Sequence, residues 1–179
     1  MHRRLWIAVA TLGLAFLISS ESGAGKDGKN PAATPSPRMG KGGVPDAGWM
    51  KRHEGFVAIA KKGDVDVLLL GDSITDAWRG GGAKAAWSKH FAGRKAANFG
   101  IGGDRTEHVL WRIQNGELDG IKPKVIMLMI GTNNSGANTA AQIAAGITEI
   151  VKTIRDKTPE TKVLLLGVFP RGPKAGTPV

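Results

Sequence analysis

Short apolar runs alternate along this chain with longer stretches in which apolar residues recur every three or four positions. Residues 65–70, 125–130 and 163–169 are near-continuous apolar runs, the pattern of strands buried on both faces, and 96–99 is a shorter run of the same kind. Between them the spacing is helical. Residues 49–63 carry Met50, Phe56, Val57, Ile59 and Ala60 in a stripe and stop at Gly63. Residues 84–91 set Trp87 and Phe91 four apart. Residues 105–114 turn Val109, Leu110 and Ile113 inward and end at Asn115-Gly116. The clearest helix is 140–157, with Ile143, Ile147, Ile150, Val151 and Ile154 on one face, Thr139 as its cap and Pro159 just beyond. Strand and helix in alternation, with continuous apolar strands, predict an α/β fold whose parallel sheet is covered on both faces.

The first 48 residues do not share this pattern. Residues 1–4 are basic, 5–18 apolar or small, and 19–25 small and polar. That order is the one of a secretory signal peptide, here 1–24, with Ser22 and Ala24 suited to cleavage before Gly25. The apolar run is shorter than the ~20 residues of a spanning helix, so export to the periplasm or exterior, without a stable membrane span after removal, is expected; an uncleaved anchor is the alternative. Residues 25–48, rich in Gly, Pro and Lys, are expected to form a flexible linker. The folded domain is then 49–179. A chain of 179 residues that is 41% hydrophobic can bury one core.

Charge and cysteine content narrow the functions. The net charge is +10, and +9 once Arg3, Arg4 and Glu21 leave with the signal segment. Lys and Arg are scattered rather than clustered, and no nucleic-acid-binding motif is present, so a nucleic-acid partner is not expected. With no cysteine, neither a disulfide nor a lipid-modified cysteine can form.

In parallel α/β folds, ligands sit at the carboxyl ends of the strands. Here the first strand ends in Gly71-Asp72-Ser73, the second in Asn98-Phe99-Gly100-Ile101-Gly102-Gly103, and the third in Gly131-Thr132-Asn133-Asn134. Each cluster alone is also an ordinary cap or turn. Together they meet a chemical need: a serine nucleophile requires donors aimed at the oxyanion it creates. Ser73 at a helix start offers its hydroxyl and a free N–H, a glycine offers a second N–H, and an asparagine offers an uncharged NH₂. Gly-x-Ser-x-Gly is absent, as is a phosphate loop, which excludes the usual α/β-hydrolase elbow and a nucleotide site.

"GDSIT", "NFGIGGDRT" and "GTNN" resemble the three leading blocks of the GDSL, or SGNH, hydrolases, and residues 98–134 resemble the catalytic subunits of platelet-activating-factor acetylhydrolase Ib. The resemblance implies a flavodoxin-like three-layer α/β/α sandwich with strand order 2-1-3-4-5. It also implies Ser73 as nucleophile, with the Ser73 N–H, Gly103 and Asn133 as oxyanion hole. It implies short-chain, especially acetyl, ester substrates of small-molecule, polysaccharide or lipid type, no metal or cofactor, and a homodimer as one arrangement.

The sequence departs from the family pattern in its last block. The family's catalytic Asp-x-x-His is absent, and His2, His53, His90 and His108 do not match it. A fragment lacking the fifth strand and last helix is therefore expected, with little activity of its own. The alternative is a binding module that keeps the pocket without the base.

Overall fold

The computed structural model describes residues 28–170. The expected signal segment, and the route of export it implies, lie outside them. Five α-helices and four strands follow one another as α1 (Ala47–Lys61), β1 (Val67–Gly71), α2 (Ser73–Asp76), α3 (Ala83–His90), β2 (Ala96–Gly100), α4 (Thr106–Arg112), β3 (Val125–Met129), α5 (Ala140–Lys157) and β4 (Lys162–Leu165). All strands are parallel, in the order β2-β1-β3-β4. The expected order is thus observed for the four strands present. Gly71 lies level with Gly100 on one side and Met129 on the other, so three strands end together.

Leu68, Leu70, Phe99, Ile126 and Leu128 point to one face of the sheet, where α1, α4 and α5 cover them with Phe56, Leu110, Ile113, Ile150 and Ile154. The stripe of α1 is Trp49, His53, Phe56 and Ala60 rather than one containing Ile59, which is 39% exposed. Spacings of four, three and four residues keep it on one side of the helix. Asp46 caps α1 through the Trp49 N–H, and Thr139 with Gln142 forms a capping box on α5.

On the opposite face, α2 sits directly on β1 and β2. A Cβ at Gly100 would lie 2.4 Å from Asp76 N, and one at Gly71 2.3 Å from Thr75 Oγ1. These two glycines let the first turn after β1 lie flat on the sheet.

The sheet's two edges differ. Along β2, Arg79 donates to the Asn98 and Gly100 carbonyls, and the Asn98 side chain accepts from Gly100 N–H. Along β4, Leu164 and Leu165 are half exposed.

The stretch expected as a flexible linker packs against the domain from Asn30 onward, which corrects that expectation. Ala32 is fully buried, Met39 bridges Pro45, and Arg38 bonds to the loop after β2. Its composition offers no apolar periodicity, and specific hydrogen bonds hold it instead. Among the described residues no helix is long and apolar enough to cross a membrane.

Substituting Gly100→Ala should destabilise the domain by on the order of 2–3 kcal/mol, because backbone must move to admit the methyl. Gly55→Ala, in an open position of α1, should stabilise it by about 0.5–1 kcal/mol. Chemical denaturation of both variants checks the pair.

Candidate active site

The site begins where β1 stops. Asp72 is buried and caps α2 by accepting from Ile74 N–H at 3.0 Å. Burial pushes its carboxyl above the ordinary value, against the backbone N–H bonds of Ile74 and of Asp72 itself. Ser73, the first residue of α2, is exposed. Its N–H therefore has no acceptor within the helix. Asp76, one turn later, takes two hydrogen bonds from Arg52 at 2.7 and 2.8 Å, which hold its carboxyl below the ordinary value.

The second cluster is a tight turn in which Asp104 N–H returns to Ile101 O at 3.1 Å. Gly102 lies against Ser73: a Cβ there would be 3.7 Å from Ser73 Cβ. Its N–H is committed to Asp76 Oδ2 at 3.2 Å. Gly103, at φ +80°, is exposed, and no acceptor among the described residues takes its N–H.

The third cluster divides its two asparagines. Asn133 is half-buried and donates from Nδ2 to Asp104 O at 2.8 Å, which holds its amide against the turn and leaves its second hydrogen over. Asn134 is fully buried and structural: it accepts from Thr106 N–H and donates to Glu107 Oε2 and Asn138 Oδ1. Ser73, Gly103 and Asn133 are thus gathered at one sheet edge through Gly102 and Asp104.

Behind the turn lies a buried charged chain that the sequence pattern did not single out. Asp104 Oδ1 accepts from Trp49 Nε1 and Arg38, both at 2.8 Å. Asp104 Oδ2 faces Arg112 Nε at 3.0 Å as an ion pair, at an angle that makes no hydrogen bond. Arg112 donates to Glu117 Oε2, and Glu117 Oε1 meets His53 Nδ1 at 3.0 Å. A wide turn at Ile113–Glu117, with Gly116 at φ +109°, returns Glu117 beneath Arg112. Burial works against the Arg112 charge, but Glu117 and Asp104 outweigh it and hold its pKa above the ordinary value. Burial pushes the Asp104 carboxyl up, opposed by Arg112, Trp49 and Arg38. The only sequence signal for this chain was an arginine and a glutamate five apart beside an apolar stripe.

No described histidine bonds to Ser73. His53 is buried against Glu117, and His90 is exposed at the end of α3. His108 Nδ1 accepts from Arg105 N–H, so the ring is neutral with its proton on Nε2. Burial first, then Arg38, Arg105 and Arg112 against a weaker pull from Glu107, lower its pKa to about 4. No group of three or more His, Asp or Glu suited to a metal ion occurs among the described residues.

The His108 ring should therefore titrate near pH 4 in NMR spectra, not near 6.5. Because folding lowers this pKa, the stability linked to it is present above 6.5 and is lost as pH falls from there toward about 4. A midpoint near 6.5 would contradict the burial.

Comparison with known proteins places this geometry. Residues 69–179 match the model of the GDSL-like lipase/acylhydrolase family. The chain is 46% identical over 145 residues to the platelet-activating factor acetylhydrolase IB subunit alpha2 of Homo sapiens, covering 81% of this chain and 61% of that protein. It is 42% identical over 144 residues to the human alpha1 subunit, covering 80% and 60%. The chain thus spans about three fifths of the length of these relatives. A Streptococcus pneumoniae structure named after platelet activating factor superposes with TM-score 0.55 at 21% identity, covering 70% of this chain and 59% of that one. A Bacteroides fragilis structure named as an acylhydrolase gives 0.53 at 20%, covering 67% and 57%. These two likenesses support the fold, and the sequence matches carry the kinship. A three-layer parallel α/β domain with Ser73, Gly103 and Asn133 at one sheet edge, matched over more than half its length, belongs to the GDSL-like lipase/acylhydrolase family.

Proposed function

We propose that this chain carries the nucleophile and oxyanion hole of an exported serine esterase acting on short-chain, especially acetyl, esters. The observation that carries the reading is the convergence of an exposed Ser73 with the free N–H of Gly103 and the amide of Asn133. Ser73 Oγ attacks the ester carbonyl carbon and gives its proton to a base. The tetrahedral oxyanion is held by the N–H groups of Ser73 and Gly103 and by Asn133 Nδ2. Collapse expels the alcohol, which takes the proton, and leaves an acyl-Ser73. Water then attacks the acyl carbon, releases the acid and restores the hydroxyl. The route uses no metal or organic cofactor.

The base is proposed to be a histidine outside the described residues, in the part of the protein that its longer relatives possess. Two observations support this: no described histidine reaches Ser73, and the chain spans about three fifths of its relatives. The acetyl preference follows the names of the acetylhydrolase relatives. An acetylated polysaccharide or a phospholipid both present such esters, and pairing of two copies is part of the same proposal. The lack of a base beside Ser73 also favours a second reading, a binding module that holds esters without cleaving them.

Hydrolysis of p-nitrophenyl acetate with and without imidazole separates the two. The chain alone should show Ser73-dependent turnover near background. Imidazole, standing in for the base, should raise it; Ser73→Ala should remove the increment, and Asn133→Ala should lower it by about 10²–10³-fold. Robust Ser73-dependent turnover without added base would refute the missing base. No Ser73-dependent increment with imidazole would favour the binding module.

A further inference from the structure

The segment before α1 runs as a strap over the helices and onto the turn that supplies the Gly103 N–H. Asn30 Nδ2 donates to Gln142 O on α5 at 3.0 Å. Ala32 O accepts from Thr106 Oγ1 on α4 at 2.6 Å, seated over Gly146, where a Cβ would stand 2.2 Å from that oxygen. Ser36 N–H reaches Glu107 O at 3.3 Å. Arg38 then donates from one NH₂ to Gly102 O at 2.7 Å and to Asp104 Oδ1 at 2.8 Å. The chain turns back through the Met39–Pro45 bridge and enters α1, where Trp49 Nε1 takes the same Asp104 oxygen. Both ends of this loop are therefore tied to one carboxylate.

The Gly102 carbonyl and the Gly103 N–H belong to one peptide plane. That bond is trans, so the two groups point in opposite directions. A charged donor on the oxygen holds the N–H directed away from Arg38, and it polarises the peptide so that the N–H becomes a stronger donor. The turn needs such a tie. Residues 101–104 close on an Ile101–Asp104 hydrogen bond with Gly103 at φ +80°, the conformation of a type II turn. Its middle peptide joins two glycines, and rotating that peptide toward type I would swing the N–H round while keeping the closing bond. Gly102 N–H and Asp104 O are held from the α2 side and by Asn133, but neither contact touches the middle peptide. Arg38 is the side chain that does.

We propose that Arg38 is a positioning residue for acyl transfer: it locks the Gly102–Gly103 peptide with its N–H presented to the oxyanion, and so makes the N-terminal strap part of the active site. The inference rests on the esterase reading, and its test has one arm that does not. In ¹⁵N,¹³C-labelled full chain, the wild type should show a strong nuclear Overhauser effect between Gly102 Hα and Gly103 H, as a type II turn requires. Arg38→Met should weaken it, strengthen the Gly102 H to Gly103 H effect and move the Gly102 carbonyl shift, with Val109 and Ile150 resonances in place. In the imidazole-assisted ester assay, Arg38→Met should lower kcat about tenfold with KM unchanged, and Arg38→Lys should recover part of it. Should Arg38→Met fail to fold, Arg38→Lys carries the spectroscopic arm, because one ammonium does not reproduce the guanidinium's planar donor pair. Unchanged turn signals in the folded variant overturn the proposal whatever the ester assay reads. Altered turn signals with no Ser73-dependent hydrolysis in the wild type sink the esterase reading and leave Arg38 as the lock of the turn. Altered turn signals with unchanged kcat overturn its role in acyl transfer.

Discussion

The burial of one carboxylate, Asp104, governs this site. A charge fully withdrawn from water is tolerable only where partners replace its hydration, and removal of one partner leaves the others uncompensated. Asp104 gathers Trp49 from α1, Arg38 from the strap and Arg112 from α4. Arg112 in turn recruits Glu117, and Glu117 recruits His53. Four segments distant in sequence are thus bound to the residue next to Gly103. The turn that offers the oxyanion donor is held from behind by the most expensive group in the core, so its geometry cannot drift without exposing unpaired charge.

The front of the site is set by a different constraint, close approach. Parallel strands that end level with one another bring their following loops to one edge, and the pairing of Gly71 with Gly100 and Met129 does this for three strands. The absence of side chains at Gly71 and Gly100 lets α2 settle on the sheet, which places Ser73 beside Gly102. Hydrogen bonds then join the loops laterally, Gly102 to Asp76 and Asn133 to Asp104. Packing positions the nucleophile, and polar ties position the donors around it.

This division explains what was legible in the sequence. The strands, their parallel order and the helix at Ala140–Lys157 could be read because burial on both faces and amphipathic spacing leave direct marks on residue order. Ser73, Gly103 and Asn133 were legible as motifs at strand ends. Asp104, Arg112 and Glu117 were not, because a charged residue on a helix or in a turn has the same local pattern whether it meets water or another charge. The strap was misread for the converse reason. Gly, Pro and Lys suggest a chain without a core, but Asn30, Ala32, Ser36 and Arg38 are held by individual bonds that composition does not record. Asn134 and Asn133 looked equivalent, and only their partners separate a brace from a candidate donor.

The Arg79 contacts along β2 have a consequence for the whole sheet. An open strand edge templates another strand through its unpaired carbonyls and N–H groups. At β2 two of those carbonyls are occupied by a guanidinium and one N–H by the Asn98 side chain, whereas β4 carries no such caps beside Leu164 and Leu165. The sheet is consequently directional: growth by strand addition is closed on the β2 side and open on the β4 side. One arginine beyond the nucleophile's helix thereby decides on which flank this domain can be extended.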